Sequence, residues 1–196
     1  TGVQTCALPI LNNFLKFRKE KGFSLLELLL VLGVIAALIV GAFIVYPKVR
    51  NSQAIDAEAK NIATIRSGIL ALYASQATIS GGLNNSIAIQ AQIFPDNMLI
   101  KNGNTVSKVV NSFGGDVILV TGLWYGKTVA TLQYNNVPTE LCTKLITAVG
   151  SNMFLVTAGG YWALNENVGV PYSVANVSKA CGQITDNNTV INFYFE

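Results

Sequence analysis

Residues 23–46 read FSLLELLLVLGVIAALIVGAFIVY, and Glu27 is the single charged side chain among them. The uncharged stretch 28–47, wound as an α-helix, would be about 30 Å long, the thickness of a bilayer's hydrocarbon core. Length and composition therefore predict a membrane-spanning helix. Just before it lie Lys16, Arg18, Lys19 and Lys21. By the positive-inside rule this cluster keeps residues 1–22 on the cytoplasmic side of the inner membrane and places the bulk of the chain outside.

Glu27 separates the possible meanings of that run. A secretory signal peptide has a shorter apolar region and a small-residue cleavage site. Val40-Gly41-Ala42 has the composition of such a site, but the run is long and carries a carboxylate. A plain signal anchor accounts for everything except the acid, which costs roughly 2.5–3.5 kcal/mol near a bilayer's centre and so marks a functional position. The bland account is a helix cap: Ser24-Leu25-Leu26-Glu27 has the S-x-x-E spacing of a capping box, and a carboxylate suits a helix N-terminus.

Lys21-Gly22-Phe23-Ser24-Leu25-Leu26-Glu27 also resembles the processing site of type IV pilins: a basic leader, a Gly-Phe step, and a Glu opening a long apolar helix. The resemblance implies cleavage by prepilin peptidase between Gly22 and Phe23, N-methylation of Phe23, and a mature chain from Phe23 to Glu196. It also gives Glu27 a role. Cleavage creates a cationic α-amine at Phe23, and a carboxylate in an apolar filament core needs such a partner. In the family that partner belongs to a neighbouring subunit, so that Phe23 and Glu27 register each subunit on the filament. Gly33, Ala37 and Gly41 recur every fourth residue. They form a small-residue stripe that permits close helix approach, a pattern that apolar composition alone also produces. The first ten residues, TGVQTCALPI, which include Cys6, do not fit a short basic leader and resemble sequencing-adapter read-through.

The composition excludes several kinds of chemistry. The 196 residues are 51% hydrophobic and 12% charged, and there is no histidine. That removes Ser/His/Asp and Cys/His catalytic pairs and imidazole metal sites. The net charge of +3 comes from the N-terminal cluster, since residues 23–196 carry nine basic and nine acidic side chains. A neutral body gives no electrostatic footprint for nucleic acid. Gly122-Leu-Trp-Tyr-Gly126-Lys127-Thr128 has too short a glycine spacing for a phosphate loop and leads into β-branched sequence rather than a helix. The sequons at Asn84, Asn176 and Asn187 are what chance gives in an Asn-rich chain. No enzymatic activity, metal or cofactor is expected.

Beyond Pro47 the pattern turns one-sided. Ile55, Ile62 and Ile69 are spaced by seven, Ile65 and Leu72 fill in between, and Lys48, Arg50, Asp56, Glu58, Lys60 and Arg66 are assigned to the polar face. The helix is expected to run from Ser24 to about Ala74, with Ser80-Gly81-Gly82 as its latest end. Residues 76–115, rich in Asn, Gly and Ser, read as a variable loop region. Val117–Thr121 and Thr128–Tyr134 read as a hairpin joined through 122–127, Pro138–Val149 as a helix, Tyr161–Leu164 as a short strand, and Thr189–Phe195 as a closing strand. The predicted fold class is α+β: a long N-terminal α-helix packed on a C-terminal antiparallel sheet head. Four segments follow: a leader 1–22, a membrane and filament-core helix 23–47, an amphipathic continuation 48–75, and a head 76–196.

Cys142 and Cys181 are the two cysteines beyond the leader. An even pair outside the membrane, in an oxidising compartment, reads as a disulfide. Leu141-Cys142-Thr143-Lys144-Leu145-Ile146-Thr147 with Val149-Gly150, and Ser178-Lys179-Ala180-Cys181 before the last strand, resemble the type IVb pilins. These include the toxin-coregulated pilin and the thin-pilus pilins of conjugative plasmids. In that family the bridge delimits a surface-exposed D-region. One departure concerns Phe23, where type IVb pilins usually begin with another apolar residue.

The resemblance implies a structural subunit with no catalysis of its own. It would sit as a single-pass inner-membrane protein with its head outside, then polymerise with its own copies into an extracellular pilus. Prepilin peptidase and the pilus assembly platform and ATPase are the implied partners. Adhesion, aggregation or conjugative mating contact are the implied outcomes. Two alternatives stand beside it: a pseudopilin of a type II secretion system, and a signal-anchored extracytoplasmic binding module.

Overall fold

The computed structural model describes residues 24–74, 82–103 and 105–196. A 48-residue helix, α1, runs from Leu25 to Leu72. The chain divides into two compact units, Thr1–Ile44 and Val45–Glu196.

In the first unit the described residues are the opening turns of α1, all with exposed side chains where these are described. Leu38 and Phe43 keep 69% and 74% of their surface exposed. The helix is long and apolar enough to cross a membrane. An unbroken helix with no polar face has no means of burying itself, so this segment needs lipid or other protein around it.

The second unit is an α+β head. The rest of α1 supplies one apolar stripe, with Ile55, Ile62, Ile65 and Ile69 all buried. Leu72, assigned to the same stripe from its spacing, is 42% exposed, because α1 ends there. The proposed stop at Ser80-Gly81 lies outside the described residues. A second departure is larger: Glu58, assigned to the polar face, has 0% of its surface exposed.

Residues 82–115 are not a featureless loop. They form a short helix α2, Asn85–Gln90, a 3₁₀ turn at Asp96–Met98, and two antiparallel strands, β1 Leu99–Asn102 and β2 Thr105–Val109. Asn84 starts α2 by accepting the Ile87 N–H at 3.1 Å. Asn85 then binds the edge of the next sheet, donating to the Val117 carbonyl at 2.8 Å and accepting from the Leu119 N–H. Tertiary bonds of this kind hold elements too short to be stable alone.

The main sheet has strands β3 Val117–Trp124, β4 Lys127–Pro138, β5 Leu155–Ala158, β6 Tyr161–Leu164 and β7 Asn188–Phe195. Their spatial order is β3-β4-β7-β5-β6, antiparallel throughout. The β3–β4 connection is tighter than the sequence suggests: only Tyr125 and Gly126 stand between the strands, at φ 50° and 78°. Two positive φ values give the turn a twist that matches the flanking strands. Two helices complete the head, α3 Thr139–Val149 and α4 Val174–Gly182. Ser173 caps α4 by accepting the Asn176 N–H at 3.1 Å. One large core joins the α1 isoleucines to Leu119, Leu132, Tyr134 and Phe193 of the sheet and to Leu145, Ile146 and Val177 of α3 and α4. A smaller cluster, Val129, Leu155 and Tyr194 under Trp124, Phe154 and Trp162, is separate from it.

Candidate functional site

Three groups of residues bear on function. The first is the N-terminal segment. Gly22 and Phe23, the proposed processing residues, lie outside the described residues. Glu27 occupies the first turn of α1 and is exposed. The free amide ends of that turn favour a negative charge there. Gly33, Ala37 and Gly41 lie four residues apart on the same helix, so they share one face. A Cβ added at Gly33 or Gly41 would meet no atom within 4 Å, which leaves room for another backbone to approach. Pro47 also lies within α1 and brings no N–H to the helix ladder.

The second group is the disulfide. Cys142 of α3 and Cys181 of α4 are bonded, with their Cα atoms 5.9 Å apart and 39 residues between them in sequence. Both sulfurs are buried among Leu145, Ile146 and Val177. The bracket encloses β5, β6 and α4 and is tied at both ends of α3. At the N-terminal end, Thr139 donates from its hydroxyl to the Asp186 carbonyl at 2.6 Å and from its amide to the Asn187 carbonyl at 2.9 Å. At the C-terminal end, the Tyr172 hydroxyl donates to the Thr147 carbonyl at 3.0 Å, and Gly150 leaves space for the Tyr172 ring.

The third group was missed from the sequence. Glu58 reaches into the core of the head, where its Oε1 accepts both the backbone N–H and the hydroxyl of Ser112. The neighbouring Asn111 is as fully used. Its Oδ1 accepts from the Phe113 and Gly115 amides, each at 2.9 Å, while its Nδ2 donates to the Asn135 carbonyl at 2.8 Å. The result is a polar tie from α1, through the β2–β3 loop, to β4. Tyr134 stands beside the same carboxylate. Burial first, and then the nearby charge of Glu58, hold the phenol pKa well above its usual value. Among the described residues, neither the phenol oxygen nor Glu58 Oε2 has a hydrogen-bond partner.

Comparison with known proteins places this architecture. Residues 17–43 match the prokaryotic N-terminal methylation motif. Residues 52–193 match the model described as PilS N terminal. The chain belongs to the PilS family of type IV pilins. The pilin is similar to the major structural subunit of the bundle-forming pilus of Escherichia coli O127:H6 (strain E2348/69 / EPEC). The two are 28% identical over 108 residues, which cover 55% of this chain and 54% of that protein. The corresponding protein of Escherichia coli O111:H- gives the same figures. The chain thus spans about half the length of the curated relatives it matches. Among solved structures, a type IVb pilin from Salmonella typhi superposes with a TM-score of 0.55, covering 72% of this chain and 99% of that one at 15% identity. At that identity the likeness concerns the fold alone.

Proposed function

We infer that the pilin is the structural subunit of a type IV pilus. The observation that carries this reading is the conjunction of a methylation motif, an exposed apolar helix opening on Glu27, and a PilS-type head beyond it. In this reading residues 1–22 are a leader, 23–47 the membrane and filament-core helix, 48–75 its amphipathic continuation and 76–196 the head. Prepilin peptidase cuts between Gly22 and Phe23 and the new amine is methylated. The head resides outside the inner membrane until the assembly platform and its ATPase draw the subunit into the filament. The apolar helix then exchanges lipid for the helices of its copies, and the face carrying Gly33, Ala37 and Gly41 lets them approach.

Glu27 follows the same logic. An uncompensated carboxylate in a dry filament core is costly, and the α-amine of Phe23 on a neighbouring copy neutralises it. The pair sets the axial position of each subunit, and the protein's part is structural rather than catalytic. The head's outer surface is what meets other cells, in adhesion, aggregation or mating contact.

Intact-mass measurement on protein sheared from the cell surface, without reduction, tests the reading. The expected mass is that of Phe23–Glu196 plus one methyl group and minus two hydrogens. A chain that stays with the cells and keeps residues 1–22, or begins after Ala42, would replace this reading with an anchored module.

A further inference from the structure

We propose that Asn102 is a site of spontaneous covalent modification, at which the head converts a neutral amide into a carboxylate. Asn102-Gly103 is the single Asn-Gly step in the chain. Asn102 ends β1 and pairs with Thr105 across a two-residue connection. Both Asn102 and Gly103 are exposed. Gly103 has φ +62°, and a Cβ there would meet nothing within 4 Å. A glycine after asparagine leaves its backbone nitrogen uncrowded and its backbone free to turn.

The reaction needs only water. Hydroxide removes the proton from the Gly103 amide, and the nitrogen attacks the side-chain carbonyl carbon of Asn102. The C–N bond to the side-chain amide breaks, ammonia leaves, and a five-membered succinimide remains. Water then opens the ring at either carbonyl, giving an α-aspartyl or a β-aspartyl residue at position 102. The net change is amide plus water to carboxylic acid plus ammonia.

The structure selects Asn102 over the three asparagines that precede a serine, Asn51, Asn85 and Asn111. Asn51 is held within α1, and its Nδ2 donates to Glu140 at 3.3 Å. Asn85 has both ends of its amide engaged, by Val117 and Leu119. Asn111 is buried and makes three hydrogen bonds. Each of these side chains is engaged by hydrogen bonds to other residues, whereas Asn102 sits at an exposed hairpin end.

The consequences are local. The new carboxylate appears next to Lys101, which already pairs with Asp96 at 3.2 Å. The β-aspartyl form adds an atom to the backbone opposite Thr105 and disturbs the Thr105 hydroxyl bond to the Asn102 carbonyl, now 3.0 Å. The β1–β2 pair forms its own two-stranded sheet, so the five-stranded sheet is left intact. None of this depends on polymerisation.

The test is incubation of the folded full chain at neutral and mildly alkaline pH, then tryptic digestion and mass spectrometry of fragment 102–108, with isoaspartyl methyltransferase labelling. Expected is progressive loss of the amide form of that fragment to two acid forms, faster at the higher pH, with the melting transition unchanged and the labelling abolished in Asn102→Gln. Two results would overturn the proposal. One is an amide at 102 that survives in the folded protein while the urea-unfolded chain converts. The other is earlier conversion at Asn51, Asn85 or Asn111.

Discussion

Glu58 Oε1 takes two hydrogen bonds from Ser112, one from its amide and one from its hydroxyl, across 54 residues of sequence. A fully buried carboxylate would be expensive alone, and these bonds offset its desolvation. They also fix how α1 sits against the loop that leads into β3. Glu58→Ala takes the acceptor from the Ser112 amide and hydroxyl and opens a cavity where the buried side chain stood, and it should destabilise the head by about 3 kcal/mol. Ser112→Ala should cost less, and the double variant should cost clearly less than the sum. Urea denaturation of the four proteins measures this; strictly additive losses would show that the two residues act independently.

The spacing that assigned Glu58 to the wrong face also contains the signal that corrects it. Counting from Ile55, positions 58, 62, 65 and 69 follow one helical stripe, and Glu58 lies within it. Charge outweighed position in that reading. The period of α1, the β3–β4 hairpin, α3 and β7 were legible because each is long or regular enough to show its own pattern. The strands β1, β2 and β5 and the helices α2 and α4 were not. Each has four to nine residues and is held by partners distant in sequence, such as Asn85 on the edge of β3. The N-terminal motif lay in the sequence outright, because processing and helix insertion are read from local residues rather than from packing.

The disulfide gives a second prediction. Cys142 and Cys181 close a loop 39 residues apart, which in the chain-entropy model stabilises by roughly 4 kcal/mol. Cys142→Ser should lower the melting temperature of the head and increase proteolysis within residues 150–180, where β5, β6 and α4 rest on the bracket. A melting temperature equal to that of the unreduced parent would mean the bridge contributes nothing to stability.

At Glu27 the expected defect is in assembly rather than folding. Its side chain is exposed in the first unit, so Glu27→Ala should leave expression, membrane insertion and head stability unchanged. Surface filaments should fall at least tenfold, the factor that corresponds to about 1.4 kcal/mol of lost subunit pairing. Electron microscopy with counting of sheared filaments reads the outcome, and normal filament numbers would remove Glu27 from subunit registration.

Gly115 tests the tightness of the β2–β3 loop. A Cβ placed there would come within 1.8 Å of the Asn135 carbonyl oxygen, a backbone atom that cannot move aside alone. Gly115→Ala must therefore displace β4 or the loop, at a cost of about 2 kcal/mol. The crosspeaks of Asn111 and Ser112 should shift in an amide NMR spectrum, and an unperturbed spectrum would contradict the packing.

Tyr134 sets the alkaline limit. Burial and the Glu58 charge raise its pKa in the folded state above the value of about 10 that the unfolded chain has. The folded head then holds a proton that the unfolded chain releases, so stability is intact below pH 10 and falls as pH rises beyond it. Tyr194, also raised by burial, adds to the same trend. Tyr134→Phe cannot ionise and leaves Glu58 without its phenol neighbour. It should lose less stability than the parent between neutral pH and pH 11. Melting curves across that range, with tyrosinate absorbance as the reporter of ionisation, decide it. Parallel stability profiles for parent and variant would show that Tyr134 does not govern alkaline unfolding.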